Sequence, residues 1–563
     1  MSVFLRETRI FLSGRRRVAS QSAQAMLGLL LLALIPIPMA AQNAIPQVNQ
    51  PLSPSSAAPG GIAFTLTVNG TDFVSGAEVK WNGSPRATTF VSTSKLTAAI
   101  SATDITKATT ATITVTNPGP GGGSSAPAYF VVANSYNLIS MVRTEVGAGS
   151  NPQAMAVGDF NGDGILDLAV ANGGGNSVSI FLGVGNGTFG APTNYATASG
   201  FPDCIVIGDF NGDGKVDIAV LLQRINEVSI LLGNGDGTFG AHQEYATGQN
   251  PAGASVADVN GDGKLDLLIS NVNGNTVSVL LGNGDGSFQN HQDYATGTRP
   301  QQVAVADFNG DGKLDLAVAN GGDGTVSILL GNGDGSFQTH SDFACVALPT
   351  WIVAGDFNGD DKLDVALSSP AHNLSVLLGN GDGTLQTHKE FPTGNNSQMI
   401  ASADLNADGK LDLVVANFTD NSVSALIGNG DGTFKGQTVY PTNAGPGWVV
   451  IGDFNRDGKM DFAVVDTSAD SISVMIESPI NLTPTRINYP TQQSGFPSTP
   501  QNVTLKNSSS SSIGVGAINI VGANPGDFSE TDNCASTTLL AGTSCTISVT
   551  FTPLQLGIKN AQV

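Results

Sequence analysis

The sequence predicts an all-β fold, and three observations carry that prediction: a glycine-rich, charge-poor composition, an internal repeat of short strands, and complementary ends to that repeat. Gly accounts for 70 of 563 residues, against a usual share of about 7%. Charged residues make up 12% where about 25% is usual, which excludes coiled coils and most helical bundles. Apolar residues are 40% of the chain and evenly spread, too many for a disordered chain and enough for packed cores. At roughly 150 residues per domain, the length corresponds to three or four domains.

Residues 1–41 read as a secretory signal peptide. Arg6, Arg9 and Arg15 to Arg17 precede an apolar run from Met26 to Ile37, and the small residues Ala40 and Ala41 stand before Gln42. A membrane span needs about 20 apolar residues; this run is shorter and holds Pro36. No later segment is long enough, so the expectation is a secreted or cell-surface protein without a membrane span in its mature chain. The net charge of −22 becomes more negative once the five arginines of this segment are removed. That balance argues against nucleic acid, whose phosphates are bound by clustered Lys and Arg, and it calls for counter-ions.

Residues 42–133 alternate apolar and polar side chains, as in Phe64–Val68, Thr112–Thr116 and Tyr129–Val132, between Gly- and Pro-rich turns. Strands buried on one face are expected, arranged as a β-sandwich of immunoglobulin type. Val68-Asn69-Gly70-Thr71-Asp72-Phe73 and Val79-Lys80-Trp81-Asn82-Gly83 resemble the IPT/TIG Ig-like family.

Between residues 134 and 478 the phrase Asp-Phe-Asn-Gly-Asp-Gly-x-x-Asp recurs with small changes at intervals of 48 to 50 residues, beginning at Asp159, Asp209, Asp258, Asp307, Asp356, Asp404 and Asp453. Each copy holds four short strand-like runs separated by turn residues. Seven such units, each burying its faces against its neighbours, predict a seven-bladed β-propeller. The seventh copy stops after Ile472–Ile476 without a fourth strand. Ahead of the first copy, Glu145 stands 14 residues before Asp159, as Tyr195 stands 14 before Asp209. Residues 136–149 are therefore expected to pair with blade seven, closing the ring and removing the edges that an open solenoid leaves exposed.

Residues 479–563 contain Val503-Thr504-Leu505-Lys506-Asn507, Gly526-Asp527-Phe528 and a strand-like run from Cys545 to Pro553. They resemble the Ig-like choice-of-anchor D domains of bacterial surface proteins, with the last strand cut short at Val563. Cys534 and Cys545 flank a turn there, and in an exported chain a disulfide is expected.

The repeated phrase carries the chemistry. Its positions 1, 3, 5 and 9 offer side-chain oxygens and position 7 a carbonyl. In chain order these are Asp159, Asn161, Asp163, Ile165, Asp167; Asp209, Asn211, Asp213, Lys215, Asp217; Asp258, Asn260, Asp262, Lys264, Asp266; Asp307, Asn309, Asp311, Lys313, Asp315; Asp356, Asn358, Asp360, Lys362, Asp364; Asp404, Asn406, Asp408, Lys410, Asp412; and Asp453, Asn455, Asp457, Lys459, Asp461. A flexible, oxygen-only shell suits Ca²⁺, and three close carboxylates without a cation repel or take up protons. An EF-hand needs Glu at position 12, where Val170 stands in a predicted strand. The phrase resembles instead the FG-GAP (VCBS) repeat of propellers like that of the integrin α-subunit, and Phe189-Gly190-Ala191-Pro192 repeats its signature. The resemblance covers residues 134–478 and implies up to seven Ca²⁺ on the positions named. Three loops depart from the pattern: Asp361 replaces Gly at position 6 of the fifth, and Ala407 and Arg456 replace Gly at position 4 of the sixth and seventh. The Gly-x-Gly-x-Gly segments from Gly183 to Gly428 lack a Lys and precede a strand, so they read as tight turns and not phosphate loops.

No nucleophile elbow, zinc motif or paired carboxylates stand outside the loops. His242, His291, His340 and His388 share one register of the repeat, so they belong to different blades and cannot share a metal; they are expected on exposed outer strands. Cys204 and Cys345 read as buried thiols. The expected function is a monomeric, calcium-stabilised binding or adhesion module for an extracellular protein or polysaccharide, not an enzyme; the alternative is a propeller lyase or hydrolase acting on polysaccharide. Specificity is expected on the face away from the metal loops, where the copies differ at Arg224, Arg299 and His372. Trp351 and Trp448, at the entry of two innermost strands, are either an aromatic ligand platform or a plug of the central channel.

Overall fold

The structure is a computed structural model that describes residue 559 and residues 46–555, except 49–51, 72, 108, 120–122, 126, 133–140, 478–479, 485–486, 508–512, 521–523 and 541. The predicted signal peptide, Asp72 and the end of the chain at Val563 lie outside the described residues.

Each of the first six repeats folds into a four-stranded antiparallel sheet in sequential order, and the seventh supplies three strands of a sheet of the same kind. Blade one runs Pro152–Gly158, Asp167–Asn172, Ser177–Phe181 and Thr193–Ala196. Its second strand is buried at every residue, as in all seven blades, which is what near-continuous apolar runs such as Leu-Ala-Val-Ala produce in a sheet packed on both faces. The first strands of successive blades lie side by side, and Pro446–Gly452 of blade seven meets Pro152–Gly158 of blade one. The ring closes as the sequence predicts. Met141–Gly147 pairs antiparallel with Ser471–Glu477, Met141 opposite Glu477 and Gly147 opposite Ser471, and so supplies the outermost strand of blade seven.

Neighbouring blades are also joined through their turns. The Gly-x-Gly-x-Gly turn of each blade docks on the Asp-rich loop of the one before: Gly237 N–H donates to the Phe160 carbonyl at 2.9 Å, and Gly286, Gly335, Gly383 and Gly432 repeat the bond to Phe210, Val259, Phe308 and Phe357. Gly187 makes it across the closure, to Phe454 at 3.0 Å. Edge-to-face rings accompany the bond, Phe160 on Phe239 at 5.8 Å and Phe189 on Phe454 at 5.7 Å, each pair contributing about 0.5–1.5 kcal/mol beyond area burial. Blade seven has no such turn. Among the described residues, the loop of blade six alone receives no neighbouring turn.

The N-terminal residues form two sheets. One is Gln47–Val48, Phe64–Thr71, Lys95–Ile100 and Thr88–Ser92; the other is Ser56–Ala57, Ala128–Val132, Thr109–Thr116, Glu78–Trp81 and Ser84–Pro85. They enclose Leu66, Val68, Phe73, Trp81, Ile113 and Phe130, the apolar half of the predicted alternation. At the C-terminal end, Ile480–Thr483, Gln501–Asn507, Ser544–Phe551 and Phe528–Asp532 form one sheet. The expected disulfide joins Cys534 and Cys545, with Cα atoms 5.2 Å apart, inside a core that includes Leu505 and Ile547.

Two expectations need correction. The four register-related histidines precede the outer strands and are half-buried, because each turns back on the acid two residues ahead: His291 on Asp293 and His340 on Asp342 at 2.8 Å, His388 on Glu390 at 3.4 Å, and His242 on Glu244. Cys345 is only half-buried, whereas Cys204 is buried; both thiols are free, and burial pushes both up to about 12.

Candidate metal loops and the two faces of the ring

The position-1 carboxylate organises each loop. Asp159 Oδ1 accepts the N–H of Gly162 at 2.7 Å and of Asp163 at 3.2 Å, and its Oδ2 accepts Gly164 N–H at 2.8 Å. Asn161 Oδ1 takes Asp163 N–H at 3.0 Å, and Asp163 Oδ1 takes Ile165 N–H at 2.8 Å. The bond from the position-6 N–H recurs in the other six loops at 2.6–3.0 Å. It needs left-handed backbone at position 6, where Gly164 has φ +78°. Asp361 holds the same geometry at φ +63° and keeps its 2.8 Å bond to Asp356; left-handed backbone in a residue with a Cβ costs about 1–2 kcal/mol.

Position 9 has a role that the spacing did not reveal. Asp167 is fully buried; its Oδ2 accepts Phe160 N–H at 2.9 Å and its Oδ1 accepts Gly183 N–H at 2.7 Å. It therefore clasps the loop to the start of the turn after the third strand. Every blade repeats the clasp, and in blade seven Asp461 accepts from Phe454 and Glu477. At position 7, four lysine side chains lean back on the position-5 carboxylate, Lys215 on Asp213 and Lys264 on Asp262 at 3.3 Å, Lys313 on Asp311 and Lys362 on Asp360 at 3.8 Å. Lys459 is buried instead and pairs with Glu477.

Burial, reinforced by the carboxylates at positions 1 and 5, pushes the position-9 groups up: to about 6 for Asp167 and Asp315, about 7 for Asp217 and Asp364, about 8 for Asp266 and Asp412, and well above the ordinary range for Asp461. Among the described residues no three His, Cys, Asp or Glu side chains close on a common point, because the clasp holds position 9 while positions 1, 3 and 5 stay linked to one another. Each clasped oxygen keeps a further lone pair. A set of oxygen donors whose carboxylates repel one another in a buried setting fits a hard cation such as Ca²⁺.

A pH dependence follows. An acid whose pKa is higher folded than unfolded favours the fold below its unfolded value, near 4, and that gain is lost as pH rises through the folded value. Metal-free protein should therefore melt at progressively lower temperature from pH 5 to pH 8, and the rise in Tm produced by calcium should grow over the same window. Calorimetry at pH 5, 6.5 and 8 with calcium or EDTA checks this; a calcium increment that shrinks with pH contradicts the assignment.

The N-terminal sandwich reaches this same face, which the sequence did not disclose. Ser55 and Ser56 Oγ donate to Asp404 Oδ2 at 3.1 and 2.5 Å, and Thr110 Oγ1 donates to Asp453 Oδ2 at 2.5 Å. Val131 packs with Ala407 and Met460. Asp404, Asn406 and Asp453 are buried. A cavity of about 940 Å³ lies along the axis, lined by Leu52 and Ser94 of the sandwich and by Met155, Gln302, Trp351 and Trp448 of inner strands. The two tryptophans meet edge-on, ring centroids 4.5 Å apart, and Trp448 is 8% exposed. Arg224, Arg299 and His372 are not part of this lining.

Those three residues belong to the connections on the opposite face. Eight residues before each loop's first Asp, the backbone is left-handed in all seven copies: Asn151, Phe201, Asn250, Arg299, Leu348, Asn396 and Gly445 have φ between +52° and +68°. Asn and Gly tolerate this conformation; Phe, Arg and Leu rarely adopt it. The Arg224 guanidinium lies 4.3 Å from the centre of the Phe201 ring, beside exposed Ile225, and Leu348 is 56% exposed. His372, also left-handed at φ +68°, is exposed in blade five.

Comparison with known proteins bears on the repeats. The FG-GAP-like repeat matches six overlapping segments, residues 159–220, 209–269, 258–318, 307–367, 356–415 and 404–464. No curated protein sequence matches the chain. Among solved structures, a crystal structure of BBS1N in complex with ARL6DN, soaked with lead, is similar at 12% identity and a TM-score of 0.45, covering 60% of this chain and 98% of that one. An auxiliary nutrient binding protein from Bacteroides ovatus is similar at 11% identity and a TM-score of 0.36, covering 77% and 97% respectively.

Proposed function

Because the chain belongs to the FG-GAP-like repeat family over more than half its length, we propose that it is an exported, calcium-stabilised propeller that binds an extracellular protein or polysaccharide through the face opposite its metal loops, and that it is not an enzyme. The two flanking β-domains, read as IPT/TIG-like and choice-of-anchor-D-like spacers, carry that face. The disulfide Cys534–Cys545 supports an oxidising, extracytoplasmic setting. One observation favours the binding face: Phe201, Arg299 and Leu348 take a left-handed conformation that four other copies assign to Asn or Gly. Strain of this kind, of order 1–3 kcal/mol, clusters at functional positions. Aromatic, aliphatic and guanidinium groups held on such a backbone suit an amphipathic surface, the aromatic face of a sugar ring included.

The test is retention on panels of extracellular proteins and polysaccharides, with any cleavage products recorded alongside. Replacing Leu348 by Asn and Arg224 by Ala should weaken retention tenfold or more. The Asn substitution should also leave the ring equally or more stable, since it relieves the left-handed strain. Normal retention by the double variant, or product release by the wild type, overturns the reading.

A further inference from the structure

We propose that the N-terminal sandwich completes the cation sites of loops six and seven, so that binding at these two sites and docking of the sandwich form one linked equilibrium. The proposal rests on calcium binding by the loops. Of the position-1 carboxylates, Asp404 receives two of the sandwich's hydroxyls and Asp453 one. In both loops the hydroxyl reaches Oδ2, the same oxygen that accepts the position-6 N–H, from Gly409 at 2.9 Å and Gly458 at 3.0 Å. Hydrogen bonds of this kind fix the orientation of a ligating carboxylate, and losing them typically weakens metal binding 10- to 100-fold.

Two further features single out this patch. Among the described residues, loop six is the one that receives no neighbouring turn; what meets it instead are Ser55, Ser56 and Val131 of the sandwich. Its position 4 is Ala407, left-handed at φ +57° where the first five loops have Gly, and Ala407 is buried with Val131 of the sandwich. A methyl placed on strained backbone, against the docking partner, is explained by the contact it makes.

The sign of the coupling follows from charge. The groups that meet Asp404 and Asp453 are neutral hydroxyls and backbone N–H donors, and burying carboxylates without a counter-charge is costly. A cation in each loop removes that cost, so it favours docking; by reciprocity, docking raises the affinity of both sites by the same factor.

The experiment uses the full chain with Ser55→Ala, Ser56→Ala and Thr110→Val combined. Calcium titration is read by calorimetry, and local opening by hydrogen exchange. The wild type should bind two ions more tightly than the rest. In the triple variant these two should weaken 10- to 100-fold, with faster exchange over residues 404–409 and 453–458 and none of that change over 159–164 and 209–214. Ala407→Gly relieves strain while removing the methyl; it should leave ring melting unchanged or higher and still speed exchange at 404–409 and 128–132. Uniform weakening of every site, no change at the two sites, or tighter binding there because the hydroxyls had competed with the cation, overturns the proposal. A wild type that binds no calcium removes the loop assignment itself, which distinguishes that failure from this one.

Discussion

Stripping calcium should lower the melting temperature of the ring by roughly 20 °C or more. A ligand that binds only the folded state adds about 2.7 kcal/mol per site at a hundredfold excess over its dissociation constant. Several such sites together rival the about 5–15 kcal/mol that holds a typical domain together, and for a unit this large each kcal/mol moves Tm by about 2 °C. The stabilisation is spread around the ring because every loop also receives a neighbouring turn or, in blade six, the sandwich. Excess EDTA followed by calcium re-addition, monitored by calorimetry, gives the measurement. The C-terminal sheet, held by its own core and disulfide, serves as an internal control that should not shift. An unchanged melting curve, with residual metal shown to be absent, removes the calcium assignment.

Loss of a position-9 carboxylate should be the most damaging kind of substitution in a loop, and Asp266→Ala tests it. Asp266 is fully buried, and its two oxygens accept Val259 N–H at 2.9 Å and Gly282 N–H at 2.8 Å. Alanine leaves both donors buried and unpaired, at about 1–3 kcal/mol each, and removes a cation ligand as well. A loss of about 4 kcal/mol or more in calcium is expected from denaturant unfolding, with roughly half of it persisting in EDTA because the clasp does not depend on the ion. Asp266→Asn, which keeps one acceptor, should cost less. If the penalty of Asp266→Ala vanishes in EDTA, position 9 is a ligand and nothing else.

Local periodicity made the blades, their loops and the ring closure legible: Glu145 stands at the repeat's own spacing from Asp159, and Met141–Gly147 does pair with Ser471–Glu477. The clasp was hidden because the partners of Asp167 are backbone N–H groups, which leave no residue identity to read. Docking of the sandwich was hidden for a different reason. Ser55, Ser56 and Thr110 act on carboxylates about 340 to 350 positions away, and isolated hydroxyls carry no pattern. The signal available was the departure from Gly at Ala407, which changes no ligand and makes sense only once Val131 is seen beside it. The far face was legible only as variation at Arg224, Arg299 and His372; that Phe201, Arg299 and Leu348 hold strained backbone required dihedral angles.

The seam of the ring has a mechanical consequence. The chain enters the propeller at Met141 and leaves it at Glu477, and these two residues are paired at the same end of their strands. Tension between the flanking domains therefore acts like fingers opening a zipper: the ladder of blade seven gives way one hydrogen bond at a time, whereas a pull along opposed ends would load all of them together. The contacts of Ser55, Ser56 and Thr110 with the ring stand in front of that seam and must break before the load reaches it. A stretched molecule first lifts its sandwich and then unseals at blade seven, leaving six blades still stacked in an open arc.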